Sequence, residues 1–170
     1  MRVRQAVPED AQAITNARVA GWRKTYAGLI PASMLDGMST QPAGHLIHRL
    51  AKQSPDRTTL VAEFDGNVVG FVNAGRYRVD QKPGELTDEG EIRAVYVDPE
   101  QWSRGAGLAL MTEAVRWLRD SGYTPIRLWV LVDNPRARRF YERFGFRADG
   151  AASQFTIDDV ALDEIRYTLD

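Results

Sequence analysis

The 170-residue chain predicts a mixed α/β fold, a largely mixed sheet with helices on both faces, built as one domain over residues 1–170. Three observations carry that expectation. The length suits one hydrophobic core, since single cores commonly span about 100–200 residues. Apolar residues alternate in some segments and recur at helical spacing in others. The two kinds of segment follow one another as β-α-α-β-β-β-α-β-α-β, an order that packs helices against a sheet.

The elements follow in chain order. VRQAV (residues 3–7) reads as a strand. PEDAQAITNARVAGWRKTY (8–26) reads as a helix: Pro8 stands in its first turn, Glu9 and Asp10 suit the positive end of the helix dipole, and Arg23 and Lys24 suit the other end. GLIPASMLDGMS breaks that helix, and Pro31 starts a short second one that stops near Gly37. AGHLIHRLAKQ (43–53) continues as a third helical stretch. TTLVAEFDGNVVGFVNAGRYR (58–78) is a hairpin about an Asp65-Gly66-Asn67 turn. DQKPGELTDEG (80–90) reads as a polar loop and EIRAVYV (91–97) as a strand. From Gly105 the period is helical, with Leu108, Met111, Val115 and Leu118 on one stripe, and Gly122 ends it. PIRLWVLV (125–132) is a buried strand. NPRARRFYERFGF (134–146) is a helix capped by Asn134, started by Pro135 and stopped by Gly145. ALDEIRYTL (161–169) alternates as a last strand.

Composition removes several function classes. There is no cysteine, so disulfides, thiolate metal sites and cysteine nucleophiles are excluded. His45 and His48 are the only histidines; they lie on the amphipathic third helix, and a structural metal usually needs about four ligands, so no metal is expected. A net charge of −1 gives no global field to draw nucleic acid or an anionic membrane, and neither is expected as a partner. No apolar run reaches the ~20 residues that cross a bilayer, and Met1 opens into a strand-like segment instead of a signal peptide. A cytoplasmic enzyme or binding domain is the default expectation.

The segment VDPEQWSRGAGLALM (97–111) carries the first chemistry. A strand that feeds a glycine turn into a helix N-terminus aims several backbone N–H groups at one point, where the dipole adds partial positive charge. Gly105 and Gly107 let a phosphate approach without a Cβ in the way, and Arg104 adds a full charge. Two readings stand: a pyrophosphate site, or a turn whose glycines only permit strand–helix packing. No Gly-Lys-Ser/Thr follows, so it is not a Walker loop. The third glycine of a dinucleotide fingerprint is missing.

The block NPRARRFYERFGF, about 30 residues downstream, makes the pattern specific. An Arg-x-x-Gly-x-Gly-like turn followed by Asn134, Ala137, Phe140, Tyr141, Gly145 and Phe146 at their spacing resembles the GCN5-related N-acetyltransferase family, and the resemblance runs along nearly the whole chain. GWRKTYAGLIPASMLD also resembles the acceptor-side helices of small bacterial members. One departure stands out: where the family turn usually has Gln or Arg, three residues before the first glycine, this chain has Trp102, with Gln101 one place earlier.

The resemblance implies an acyl-CoA N-acyltransferase fold with a mostly antiparallel sheet splayed between its fourth and fifth strands, and acetyl-CoA as co-substrate. It implies that Val95, Tyr96 and Val97 pair with the pantetheine arm like an added strand. It places the pyrophosphate on Arg104, Gly105, Ala106 and Gly107, flanked by Leu108 and Ala109, with Trp102 and Ser103 as further cofactor-binding residues of the turn. Asn134 then bonds the pantetheine arm, a role compatible with capping because an amide both donates and accepts. Among Arg136, Arg138, Arg139 and Arg143, a face that is otherwise simply solvated, Arg138 is taken for the phosphate or adenine end of the nucleotide.

Tyr141 is the expected acid. Transfer from a thioester expels a thiolate, and a phenol within reach donates a proton to it; the alternative is a core tyrosine on the stripe with Ala137, Phe140 and Phe144. Glu91 is the expected base, directly or through a water, with Glu89 behind it; the alternative is a surface carboxylate in the acidic run. A backbone N–H near Val95 would meet the oxyanion. Trp22 and Tyr26, one turn apart, either wall the acceptor pocket, where aromatic faces suit an amine, or pack the helix end.

The expected activity is therefore acetyl-CoA-dependent transfer of an acetyl group to a primary amine of a small molecule or peptide, with no metal and no covalent enzyme intermediate. The competing reading is a non-catalytic acyl-CoA-binding module of the same fold. The resemblance also allows a homodimer. The acceptor is not legible: its pocket would be built from the N-terminal helices and residues 80–90, which bear the fewest motifs.

Overall fold

β1 (Arg2–Gln5) runs antiparallel to β2 (Arg57–Phe64), with Arg2 opposite Glu63 and Gln5 opposite Leu60. This computed structural model describes all residues but 53, 82–85 and 158. Between the two strands come a 3-10 turn (Pro8–Asp10), α1 (Ala11–Thr25), α2 (Ala32–Asp36) and α3 (Gly44–Ala51). β3 (Asn67–Arg78), β4 (Leu86–Val97), α4 (Ala106–Asp120), β5 (Ile126–Leu131), α5 (Pro135–Phe144), β6 (Arg147–Ile157) and β7 (Val160–Leu169) follow.

Two compact units result: Met1–Ala74 with Ala94–Trp117, and Gly75–Arg93 with Leu118–Asp170. β3, β4 and α4 contribute residues to both. In the first unit the strand order is β1-β2-β3-β4, and in the second β3-β4-β5-β7-β6. β5, β7 and β6 are joined antiparallel, while β4 runs parallel to β5 with Gly90 opposite Ile126 and Glu91 opposite Arg127. The parallel ladder stops there, although both strands continue. This is the mixed, mostly antiparallel sheet with a split between its fourth and fifth strands that the family resemblance implies.

Apolar burial explains the placement of the helices. In the first unit Ile14 and Ala17 of α1 and Leu46 and Leu50 of α3 are buried with Val61 and Phe71 of the strands, and Ala94 and Tyr96 pack against them. Each such large side chain contributes about 1.5–3 kcal/mol. On α4, Met111, Val115 and Leu118 are buried as the helical stripe predicts. Leu108 is not: it is 56% exposed, and Ala106, Leu110 and Ala114 fill the buried face instead.

One other expectation gains a partner, and two are corrected. Asp10 stands at the N-terminal end of α1, as expected, but not as a free surface charge. It is buried, and its carboxylate accepts from Arg4 at 2.7 and 2.9 Å and from the Val7 amide at 2.8 Å. The Arg4 guanidinium is the main reason its pKa lies below the usual range. The strand read from Glu91 begins at Leu86, which removes residues 86–90 from the polar loop; residues 82–85 of that loop lie outside those described. Finally there are seven strands, not six. β6 had no sequence signal because Gly150, the alanines and Ser153 are poor strand formers. It pairs along β7 with a register break between Ala148 and Ala152.

Candidate active site

The residues singled out by sequence fall in both units, and each set is described within its own. In the first unit β4 ends at Val97, and the chain turns through a short 3-10 segment (Pro99–Gln101) begun by the Asp98 carboxylate, which accepts from the Glu100 amide at 3.0 Å. The Trp102 indole N–H then donates to the Val97 carbonyl at 2.9 Å. This answers what the unusual tryptophan does: it staples the turn to the end of its own strand. The same bond occupies the Val97 carbonyl, so of the expected strand-like partners Val95–Val97 that one acceptor is already used.

After Trp102 the backbone takes left-handed conformations at Ser103 (φ 64°) and Gly105 (φ 88°). A Cβ at Gly105 would meet nothing within 4 Å, so the glycine is there for conformation and leaves open space beside it. α4 begins at once. Its first bond across the boundary is Ala109 N–H to Gly105 O at 3.0 Å. The amides of Gly105, Ala106, Gly107 and Leu108 therefore have no acceptor among the described residues, as expected for a helix start without a side-chain cap. Arg104 is exposed beside them and carries no ion pair among the described residues. Four unused donors, a dipole and an unpaired guanidinium form an anion cradle. Leu108, exposed, and Ala109, partly exposed, stand at its edge.

Trp22 and Tyr26 pack ring to ring at 4.6 Å. The Trp22 indole donates to the Tyr96 hydroxyl at 2.7 Å, which fixes Tyr96 against α1. Gly70 lets β3 approach this stretch: a Cβ there would lie 2.6 Å from the Tyr96 carbonyl. The end of β4 is thus held from α1, from β3 and from the turn that follows it.

In the second unit Asn134 caps α5, its Oδ1 accepting from the Ala137 amide at 3.0 Å. Its side-chain N–H donors carry no bond among the described residues. Tyr141 is partly exposed, with its ring 5.4 Å from Phe140 and 6.1 Å from Phe146. Arg138 does not extend freely: its guanidinium donates to the Tyr167 hydroxyl and the Val132 carbonyl, both at 3.3 Å. Tyr167 in turn donates to Glu142 at 2.6 Å.

The carboxylates hold the largest departure from expectation. Glu91 is neither an accessible base nor a surface acid in an acidic run; it is 2% exposed. Arg78 donates to both its oxygens, at 2.9 and 2.8 Å, the Arg78 amide adds a bond at 3.2 Å, and Arg93 one at 3.3 Å. Glu89 is likewise held bidentate by Arg127 at 2.7 Å. Asp149 accepts from Arg127 and Arg166. Tyr77 lies between these two arginines, its ring centroid 5.7 and 5.9 Å from them.

One carboxylate of this unit escaped the sequence reading. Glu164, opposite Leu131 on β5, is half-buried and accepts from Gln81 Nε2 at 3.1 Å with no ion pair among the described residues. Burial raises its pKa above the ordinary glutamate value. Arg166 and Trp129 share its neighbourhood, Arg166 5.7 Å from the indole ring, and the Trp129 indole N–H is buried without an acceptor among the described residues. The alternation of β7 places Glu164 on a face, but nothing in sequence says that neighbouring arginines pair elsewhere.

Among the described residues no group of three or more His, Asp or Glu side chains could hold a metal, and no helix is long and apolar enough to cross a membrane.

The chain is similar to known proteins over most of its length. The acetyltransferase (GNAT) family matches residues 28–146. The chain is 28% identical over 163 residues to the uncharacterized N-acetyltransferase YuaI of Bacillus subtilis, covering 96% of this chain and 89% of that protein. It is 31% identical over 122 residues to the L-amino acid N-acetyltransferase AaaT of Escherichia coli, covering 68% of this chain and 69% of that one. Its fold resembles the PaiA N-acetyltransferase of Thermoplasma acidophilum, solved in complex with coenzyme A, with a TM-score of 0.75 at 21% identity, covering 99% and 98% of the two chains. The chain belongs to the acetyltransferase (GNAT) family and is an N-acetyltransferase.

Proposed function

We propose that this enzyme transfers the acetyl group of acetyl-CoA directly to a primary amine of a small molecule or peptide. The observation that carries the co-substrate is the cradle of Gly105–Leu108 amides with the unpaired Arg104, whose donor set fits a pyrophosphate. When bound, acetyl-CoA supplies the activated acetyl group; the chain's residues position it and move protons. The amides Gly105–Leu108 and Arg104 hold the phosphates. The backbone of Val95 and Tyr96 holds the amide-bearing arm; the Asn134 side-chain N–H is assigned to the same arm and Arg138, bonded to Tyr167, to the nucleotide. Trp22 and Tyr26 wall the acceptor side.

In the reaction the amine nitrogen attacks the thioester carbonyl carbon, the C–N bond forms and the C–S bond breaks. Tyr141 O–H gives its proton to the leaving sulfur, and an N–H near Val95 donates to the carbonyl oxygen while it carries charge. The nitrogen must release a proton to a carboxylate. Glu91, committed to Arg78 and Arg93, serves only through a water on Oε1, the oxygen with a single partner. A second reading assigns this proton to Glu164, a carboxylate with no ion pair among the described residues, whose burial makes it hold a proton more tightly than an ordinary glutamate.

A panel of amines with acetyl-CoA, followed by release of CoA thiol, tests the activity; L-amino acids join it on the strength of the Escherichia coli relative. Acetyl-CoA should also raise the melting temperature, because it binds only the folded chain; no thermal shift would overturn the cradle. Tyr141→Phe should lower kcat by about 10²-fold or more, and an unchanged kcat would remove Tyr141 as the acid. Glu164→Gln should abolish the acidic limb of the kcat/KM profile that Glu91→Gln leaves in place; the reverse result returns the base role to Glu91.

A further inference from the structure

Three cations meet without a carboxylate where the end of α3 lies against β1 and β2. A pocket of about 20 Å³ there is lined by Arg49, Lys52, Arg57, Ser54 and Thr58 among others, and no acidic side chain lines it. Arg49 Nε is buried and has no hydrogen-bond partner among the described residues. None of the three cations enters an ion pair among the described residues. Burial and the neighbouring Arg57 charge both disfavour the charged form of Arg49. A guanidinium cannot escape by losing its proton, so the penalty stays in the folded chain.

The other partly buried arginines show how unusual this is. Arg4, Arg78, Arg127 and Arg166 each hold a carboxylate at 2.7–2.8 Å. Arg127 and Arg166 also neighbour each other, but they share Asp149; Arg49 neighbours Arg57 with no carboxylate bonded to it among the described residues. The C-terminal dipole of α3 offsets part of its charge, but only as a fractional charge within the last turn.

We propose that this pocket is an oxyanion site for phosphate or sulfate. Its volume admits little more than one water-sized group, so an oxygen of the anion enters toward Arg49 Nε–H and the buried Thr58. The remaining oxygens stay at the mouth, where Lys52 and Arg57 are exposed. Nothing in acetyl transfer uses this pocket, so the site stands independently of the catalytic reading.

The test is thermal unfolding in inorganic phosphate or sulfate against chloride at equal ionic strength. The wild type and Arg104→Ala should both gain about 3 °C or more once phosphate is near ten times its Kd. Arg49→Gln should gain nothing, and in chloride it should melt no lower than wild type, having lost an unpaired cation. Arg57→Gln, an exposed change that leaves packing intact, should weaken phosphate binding several-fold by calorimetry. Phosphate stabilisation that survives Arg49→Gln but disappears in Arg104→Ala would locate the anion at the α4 cradle and overturn the proposal. No shift in wild type, or an equal shift in chloride, would do the same.

Discussion

The turn at the start of α4 and the charged face of the second unit use similar chemistry for opposite ends. At the turn, four amides and the exposed Arg104 have no acceptor among the described residues. On the face, Arg78, Arg93, Arg127 and Arg166 are absorbed by Glu91, Glu89 and Asp149. Donors left unsatisfied at a surface cost little while water serves them, and they become a binding site when an anion replaces the water. Donors turned inward must be matched, and once matched they are structural. Being charged therefore says little about a role in this protein, whereas being charged and unmatched says a good deal.

The largest effect that tests this contrast is Glu91→Ala. Removing one partner leaves Arg78 and Arg93 facing an empty, buried position, a loss of about 3–5 kcal/mol for a buried pair. Urea unfolding measures it, and KM for acetyl-CoA in the remaining folded protein should hardly move. A variant of wild-type stability with a collapsed kcat would reverse the assignment and make Glu91 chemical first.

Arg104→Ala is the converse and smaller. One charge-assisted contact to phosphate is worth about 1.5–3 kcal/mol, so KM for acetyl-CoA should rise about tenfold or more. The melting temperature without ligand should stay within about 1 °C, as at other exposed positions without contacts. A drop in unliganded stability would show that Arg104 has a structural partner.

Next comes Trp102→Phe, which keeps the ring and deletes the N–H that binds the Val97 carbonyl. The loss should be about 0.5–1.5 kcal/mol of stability. Because the staple sets where the turn starts, a several-fold rise in KM for acetyl-CoA should accompany it. Full stability with full affinity would mean that the indole bond does not hold the turn.

The sequence made the cradle legible because glycine at positive φ, a strand before it and a helix after it are local facts. Asn134, Pro135 and Gly145 fixed α5 for the same reason: capping is written within a few residues. What stayed hidden depends on partners far apart in sequence. Nothing near Glu91 announces Arg78, 13 residues away across a hairpin, and nothing near Glu164 shows that Gln81 is its donor, 83 residues away. β6 was missed because its residues are weak strand formers, and β7 supplies the order they lack. Trp102 was recognised as odd, but its acceptor five residues back could be known only once the turn had a shape.

The smallest effect concerns Glu164, the carboxylate that fits neither region: turned partly inward, yet unmatched by a cation. Its folded-state pKa is raised, with burial as the main cause and the Gln81 bond opposing it. The folded chain therefore binds this proton more tightly than the unfolded chain does, and the derivative of stability with pH is negative between the two pKa values. Stability from this group is full below the ordinary glutamate value of about 4.3 and falls as pH rises through the raised folded value. Glu164→Gln removes the ionisation and keeps an oxygen for Gln81. Wild type and variant should melt together near pH 4, and the variant should melt higher by about 2 °C near pH 7.5. If the same variant is also slower in acetyl transfer, an unmatched buried charge is being kept for function at the expense of stability. A difference in melting temperature that does not change with pH would show that Glu164 is matched after all and belongs with Glu89 and Glu91.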